Sequence, residues 1–245
     1  MIFTTDAVVI RERQSGEADR LLTLLTRDRV VINAFAKGAC RPKNKLHSST
    51  QLFSYASFTL YEGKSISVNE AAQKELFFGL REDIEKLSLA QYFCEVMCLS
   101  VPSNTYSDDY LRLLLNSLYF LAEGVLPAKM LKSVFELRTA VIEGYMPELS
   151  SCANCGADTG QMYFDIENGS LICSECKVTS KKLKPLTGAV LAAMRHISNA
   201  SFKDLFRYSL SGESLNALSD ITESYFLYHM PYTFKTLDFY KSIAT

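Results

Sequence analysis

The sequence predicts an α+β protein: an N-terminal five-stranded OB-type β-barrel followed by an all-helical domain with an inserted four-cysteine zinc ribbon. Three observations predict it. The apolar period is close to two over residues 1–77 and turns helical from about residue 80, two Cys-x-x-Cys pairs interrupt the helical part, and turn-forming residues separate the segments. The predicted division is a barrel over 1–79 and a helical domain over 80–245, with the metal module at about 150–178.

The strands read, in order, Ala7 to Arg11, Leu21 to Thr26, Val30 to Ala36, Leu52 to Tyr61 and Ser65 to Val68. In the fourth, Leu52, Ala56, Phe58 and Leu60 share one face, while Phe53, Tyr55, Ser57, Thr59 and Tyr61 take the other. Breakers stand at Ser15-Gly16, Asp28, Lys37-Gly38, Pro42 and Glu62-Gly63. Five strands in so short a span fit an OB barrel, and a small SH3-like barrel leaves a similar trace. A first helical stripe holds Leu80, Ile84, Leu87, Cys94 and Met97 and ends at Pro102. A second helix starts at Asp108, turns Leu111, Leu114, Leu115, Leu118 and Leu121 inward and stops at Gly124. The third has Pro127 in its first turn, the stripe Leu131, Val134, Leu137 and Val141, and Gly144 at its end. Thr187 caps a further helix with Val190, Leu191 and Met194, and Ser211 opens a last one with Leu215, Leu218, Ile221 and Tyr225.

Of the 245 residues, 48% are apolar and 22% charged, an ordinary folded composition. The apolar stretch from Leu111 to Leu121 is broken by Arg112, Asn116 and Ser117 and falls short of the roughly 20 residues a membrane span requires. The N-terminus lacks the basic flank and apolar run of a secretory signal, so a cytoplasmic protein with no membrane partner is expected. The net charge of −1 is unevenly spread. Residues 1–80 hold 11 Lys and Arg against 8 Asp and Glu, residues 81–150 hold 6 against 10, and the remainder balances at 9 against 9. A polyanion responds to the field within a Debye length, about 10 Å, so a basic first third can bind one beside an acidic middle.

The strongest chemical signal is Cys152-Ala153-Asn154-Cys155 and, after 17 residues, Cys173-Ser174-Glu175-Cys176. Each short pair lets two sulfurs converge on one ion from a tight turn, and Gly156 permits the positive backbone angle such a knuckle often needs. Met162 to Asp165 and Ser170 to Ile172 read as strands joined at Asn168-Gly169. One structural Zn2+ is expected on four thiolates, a closed shell with no position for a reacting water. Two disulfides, unligated thiols and an iron-sulfur cluster are the alternatives. Cys94 and Cys98, four apart on a helix, read as core.

The candidate nucleic-acid contact is the run Lys37-Gly38-Ala39-Cys40-Arg41-Pro42-Lys43-Asn44-Lys45, with four cations and no acid. Lys37, Arg41, Lys43 and Lys45 could each neutralise a phosphate without reading bases. A charged surface loop is often only solvated, but a barrel adds strand faces and rings on which bases can stack, here Phe35, Phe53, Tyr55 and Tyr61, unless these are core. Arg11, Arg13 and Arg20 could extend the patch, although Glu12, Glu17 and Asp19 weaken it. Lys177, Lys181, Lys182 and Lys184 form a second cluster that reads as a soluble linker or a secondary contact.

Taken in order, Ala7-Val8-Val9-Ile10-Arg11, the run Gly16 to Thr26 and Lys37 to Lys43 resemble the N-terminal signature of the RecO family. The resemblance continues through Gly79-Leu80-Arg81-Glu82-Asp83, Phe135-Glu136-Leu137-Arg138, Gly144-Tyr145-Met146-Pro147, the paired Cys-x-x-Cys and Tyr225-Phe226-Leu227-Tyr228-His229. It implies a recombination mediator in gap repair, bacterial and nucleoid-associated. Such proteins bind single- and double-stranded DNA and anneal complementary strands. They engage the acidic C-terminal tail of single-stranded-DNA-binding protein, pair with RecR and help load RecA. Carried over by motif, Lys37, Arg41 and Lys43 are DNA contacts and Lys45 extends them, while Cys40 departs from the more usual basic or polar residue. Some members lack the zinc ligands, which implies a structural metal.

Two other function classes remain open on the residues alone. An enzyme would have to use His47, His196 or His229, none of which stands in a nucleophile elbow, phosphate-cradling loop or metalloprotease motif, or an activated Cys40 thiolate. A zinc-stabilised protein-protein adaptor without DNA affinity is the second.

Overall fold

The computed structural model describes residues 1–29, 31–101, 108–178, 180 and 182–244; Val30, Pro102 and Lys181, which figure in the expectations above, lie outside them. Strands β1 (Ile2–Ser15), β2 (Asp19–Thr26), β3 (Val31–Ala36), β4 (Tyr55–Glu62) and β5 (Ile66–Glu75) close a barrel in the order β1-β2-β3-β5-β4. Only β3 and β5 run parallel, through Ala34 opposite Ile66 and Phe35 opposite Ser67. That pairing of non-consecutive strands is an OB-type arrangement and separates it from a simple antiparallel meander.

Ala7, Val9, Leu22, Leu24, Ala34, Ala36, Ala56, Phe58 and Leu60 fill the barrel. The alternation expected along β4 holds from Ala56 onward, but Leu52 and Phe53 do not begin the strand. Phe53 turns with φ 69° and is 1% exposed; its N–H donates to Val9 O and Val9 N–H donates to Ser54 O, each at 2.9 Å. Phe53 is therefore core and offers no ring to a ligand. β1 shifts register between Val9 and Arg11, and both Val8 on its outer face and Ile10 beside the shift are buried, because helices cover them.

Among the described residues six α-helices follow: α1 (Ile84–Ser100), α2 (Asp108–Glu123), α3 (Ala128–Ile142), α4 (Gly188–Asn199), α5 (Gly212–His229) and α6 (Lys235–Ile243). The chain forms two compact units, residues 1–125 with 234–245, and residues 126–233. The change of period near residue 80 is thus a change of element type inside the first unit. There α1 and α2 pack on β1, and α6 returns to pack on α1. With neighbours on several sides, α1 buries Leu89, Tyr92, Phe93 and Val96 as well as Cys94 and Met97, whereas Ile84, expected inward, is 58% exposed.

The segment Gly79 to Asp83 organises this unit. A Cβ on Gly79 would lie 2.5 Å from Ala122 O, so only glycine lets the short 3-10 turn Phe78–Arg81 approach α2. Leu80 is fully buried and Arg81 donates to Leu52 O at 3.0 Å. Asp83 caps α1 by accepting from the N–H groups of Glu85 and Lys86.

In the second unit α3 packs on α4 and α5. Lys132, 3% exposed on its side chain, sits 2.9 Å from Glu136 and 2.7 Å from Glu223. Burial alone would lower its pKa, yet the two carboxylates hold it above the ordinary lysine value. Removing one member of such a group leaves uncompensated buried charge. Lys132→Met is expected to lower the unfolding free energy by about 3–5 kcal/mol in urea titrations. A loss of less than about 1 kcal/mol would mean that the cluster is wetter than its burial indicates.

Candidate nucleic-acid interface and metal centre

The cysteines stand on a small sheet in the second unit, β6 (Glu148–Cys152), β7 (Met162–Asp165), β8 (Ser170–Cys173) and β9 (Leu183–Leu186), ordered β6-β8-β7-β9. The central hairpin is the one expected around Asn168-Gly169, and β6 and β9 flank it. Cys152 ends β6 and Cys173 ends β8. Gly156, at φ 77°, closes the first knuckle by donating to Cys152 O at 2.8 Å, and Cys176 N–H donates to Cys173 O at 3.2 Å.

The four Sγ atoms lie within 4.8 Å of one another, and those of Cys155 and Cys173 are 3.6 Å apart. A disulfide needs about 2.05 Å, whereas a tetrahedral S4 shell with metal–sulfur bonds near 2.3 Å sets its sulfurs about 3.8 Å apart. The geometry fits a single ion. Backbone N–H groups, that of Cys173 first and then that of Cys155, draw the Cys152 thiol down to about 6. Cys155 and Cys173 crowd Cys176 and push its thiol up to about 12. Four thiolates at this spacing would need a cation among them, and four on one ion would fill a tetrahedral shell.

In the barrel, residues 37–54 cross from β3 to β4 as a series of turns. Their backbone is held from several sides. Gly38 N–H donates to Asp19 Oδ1 at 2.7 Å, Cys40 N–H to Ala18 O at 2.8 Å and Asn44 Nδ2 to Lys37 O at 3.3 Å. Gly38 has φ 71°, and a Cβ there would meet Asn44 Nδ2 at 2.7 Å. From this frame Lys37, Arg41, Lys43 and Lys45 all project into solvent, and among the described residues none of them forms an ion pair. Arg20, read from sequence as part of the same patch, is turned to the frame instead. Its guanidinium donates to His47 O at 2.9 Å and Thr50 Oγ1 at 3.0 Å and lies 3.5 Å from Glu12. Arg11 and Arg13 are exposed on β1, opposite Thr23 and Leu21.

Two family models account for most of the sequence: Recombination protein O N terminal matches residues 1–75 and Recombination protein O C terminal matches 81–238. The chain belongs to the RecO family. It is 32% identical to the DNA repair protein RecO of Acetivibrio thermocellus over 98% of this chain and 96% of that one. It is 28% identical to that of Alkaliphilus metalliredigens over 99% and 100%, and 33% identical to that of Heliobacterium modesticaldum over 90% and 82%. Membership places this RecO-family chain in recombination repair.

The remaining candidates are held locally. Lys177 lies over the Tyr163 ring at 4.0 Å, Lys182 pairs with Glu167 at 2.7 Å and Lys184 with Asp220 at 2.8 Å. Each histidine places a ring nitrogen on a carbonyl: His47 on Ala39, His196 on Asp204 and His229 on Ile166. Cys40 Sγ is 3.4 Å from Asp19 O. Among the described residues, no helix of this RecO-family protein is long and apolar enough to cross a membrane.

Beside the basic loop runs a groove of about 770 Å³ that the sequence does not announce, because its walls come from distant segments. Lys37, Asn44 and Lys45 from the loop and Ser57, Thr59 and Glu70 from the strands are among its lining residues. The one available signal was the hydroxyl-rich outer face of β4.

Asp19 is the hinge between strand and loop. Asp19→Ala removes the acceptor of the Gly38 N–H and should cost about 1–2 kcal/mol. Limited trypsin digestion, with sites mapped by mass spectrometry, should then cut after Lys37, Lys43 or Lys45 several-fold faster than in the wild type. Equal cutting rates would show that the loop is not held by this bond.

Proposed function

We propose that the protein is a non-catalytic recombination mediator of gap repair that grips DNA by its phosphates. The observation that carries this reading is a loop whose backbone is pinned and whose four cations are exposed without acidic partners, on an OB-type barrel. Phosphate contacts of this kind are indifferent to sequence, as strand annealing requires. The barrel accepts single- and double-stranded DNA and brings complementary strands together. The helices receive partner proteins: RecR, the acidic C-terminal tail of single-stranded-DNA-binding protein and, indirectly, RecA. The protein acts in the cytoplasm at the nucleoid.

The test is binding of labelled single- and double-stranded oligonucleotides across a salt series, for the wild type and for the quadruple alanine variant of Lys37, Arg41, Lys43 and Lys45. Each lost duplex phosphate contact flattens the slope of log K against log salt by about 0.9, so the variant slope should be shallower by up to about 3.6 and its affinity at least about tenfold lower. A wild type with no salt-sensitive affinity would instead make the protein an adaptor that works through proteins alone.

The metal we assign is one Zn2+ on Cys152, Cys155, Cys173 and Cys176, with a structural role. The sulfur spacing and the closed donor set support zinc over a multi-iron cluster, whose thiolates stand farther apart. Purified protein should carry about one zinc per chain by elemental analysis. Cys173→Ser should lose the metal and lower the melting temperature while changing DNA affinity less than about twofold. A large loss of DNA affinity would place the ribbon in the binding surface, and iron in the preparation would replace zinc.

A further inference from the structure

Cys94 and Cys98 read from sequence as core, yet both also line a cavity of about 220 Å³ in the first unit. Ile10 and Arg11 of β1 line it with them. Cys94 is 2% exposed and Cys98 is half-buried, with its Sγ 4.0 Å from Ile10 O beside the register shift of β1. The pair is separate from the four-cysteine cluster, which lies in the other unit.

Residues four apart on a helix stand one turn above the other on the same face, with Cβ atoms about 5–6 Å apart. A disulfide needs its Cβ atoms about 3.8 Å apart, so α1 would have to distort to form one. A single atom bonded to both sulfurs, at about the 2.3 Å of a metal–thiolate bond, spans the wider gap without that distortion.

The surrounding charges select the bridging atom. Burial pushes the Cys94 thiol well up, and it raises the Cys98 thiol more than the nearby Arg11 guanidinium lowers it. Both thiols are therefore protonated at neutral pH and slow toward oxidants, which attack thiolates. A soft dication would have to displace both protons next to Arg11. The carboxylates that line the cavity are already engaged: Glu95 accepts from the N–H and hydroxyl of Thr236, and Glu12 lies 3.5 Å from Arg20.

We infer that Cys94 and Cys98 form a binding site for a trivalent arsenical. An uncharged arsenic(III) oxide meets neither cost, because it condenses with two neutral thiols. Two As–S bonds form, the arsenic-bound oxygen leaves as water with the two thiol protons, and no electron is transferred. Soft sulfur donors suit so soft an acceptor. Drug-sized ligands occupy pockets of about 300–1,000 Å³, and the smaller cavity here suits a ligand of a few atoms around one arsenic.

The probe is phenylarsine oxide, added to the full chain with the metal of its ribbon in place. Arsenic and metal are counted per chain by elemental analysis after gel filtration. About one arsenic per chain is expected with the ribbon metal retained, reversed by a small dithiol at concentrations where a monothiol has no effect. Closing the second As–S bond is an intramolecular step, so Cys94→Ala and Cys98→Ala should each weaken binding by about a hundredfold or more. Circular dichroism and retained metal check that both variants fold, and Cys40→Ala should bind as the wild type does. Uptake that is unchanged in both single variants, or that proceeds only as the ribbon metal leaves, overturns the site. So does a loss confined to the Cys98 variant, which would make the target one half-buried thiol, and so does an absence of uptake.

Discussion

β1 is hydrogen-bonded to β4 from Ile2 to Val8 and to β2 from Ala7 onward, so it passes from one neighbour to the other and is paired on both edges at Ala7 and Val8. Ala7 and Val9 face the barrel interior while Val8 and Ile10 are buried beneath helices. A strand that must be apolar on both faces appears as a continuous run, and Ala7-Val8-Val9-Ile10 is that run. The register shift after Val9 makes this possible, because the extra residue lets the strand bend as it passes from helix-covered to solvent-facing wall. Phe53 then fills the corner. Its left-handed backbone is an unfavourable conformation for an aromatic residue, held in place by two main-chain bonds with β1 and by full burial of the ring.

A loop of cations is better suited to bind a polyanion when its backbone is already ordered. Long basic side chains lose much rotamer freedom on binding, so a floating loop would add backbone ordering to that cost. Here the backbone is ordered beforehand by Asp19, Ala18 and Asn44, and only the side chains remain to settle. Arg20 belongs to this arrangement as a brace under residues 47–50. The four-cysteine module in the other unit follows similar logic with a different material: main-chain N–H groups aimed at Cys152 arrange its sulfur before any ion is considered.

Much of this was legible in the sequence, and the failures have physical causes. Each of the five barrel strands was found because one face repeats every two residues, yet β1 was read at about a third of its true span, since Thr4, Thr5, Arg13 and Gln14 pair through backbone and carry no apolar signal. β6 and β9 escaped because each is short and one contains Pro185; they exist through pairing with the hairpin. α6 has only nine residues, and its burial comes from packing on α1. Ile84 fits a helical stripe by spacing, but α1 is packed from several sides and spacing no longer reports the inward face. The cysteine cluster was plain because both pairs carry their geometry locally. The groove was not, since Lys37, Thr59 and Glu70 meet only when strands order as β3-β5-β4.

A chain with net charge −1 can still present a positive local field where its cations cluster, and several of its barrel acids are paired away from that cluster. Asp6 lies 2.6 Å from Lys74 and 3.2 Å from Arg27, and although burial raises its pKa, these cations bring it below the ordinary carboxylate value. Glu12 faces Arg20, Asp19 accepts from Gly38, Asp28 accepts from Thr5 and Glu62 pairs with Arg29. The ion pairs among these cancel at distances beyond a few ångströms and contribute little to the potential a Debye length away, whereas Asp19 and Asp28 accept from neutral donors and keep their charge. Outside those ion pairs, four cations stand together at residues 37–45, with Arg11, Arg13 and Lys64 elsewhere and Glu17, Asp19, Asp28, Glu70 and Glu75 as the opposing acids among the described residues. The folded barrel thus does not remove its acids from the balance; it gathers four of its eleven cations on one ordered loop, where their fields add within a Debye length.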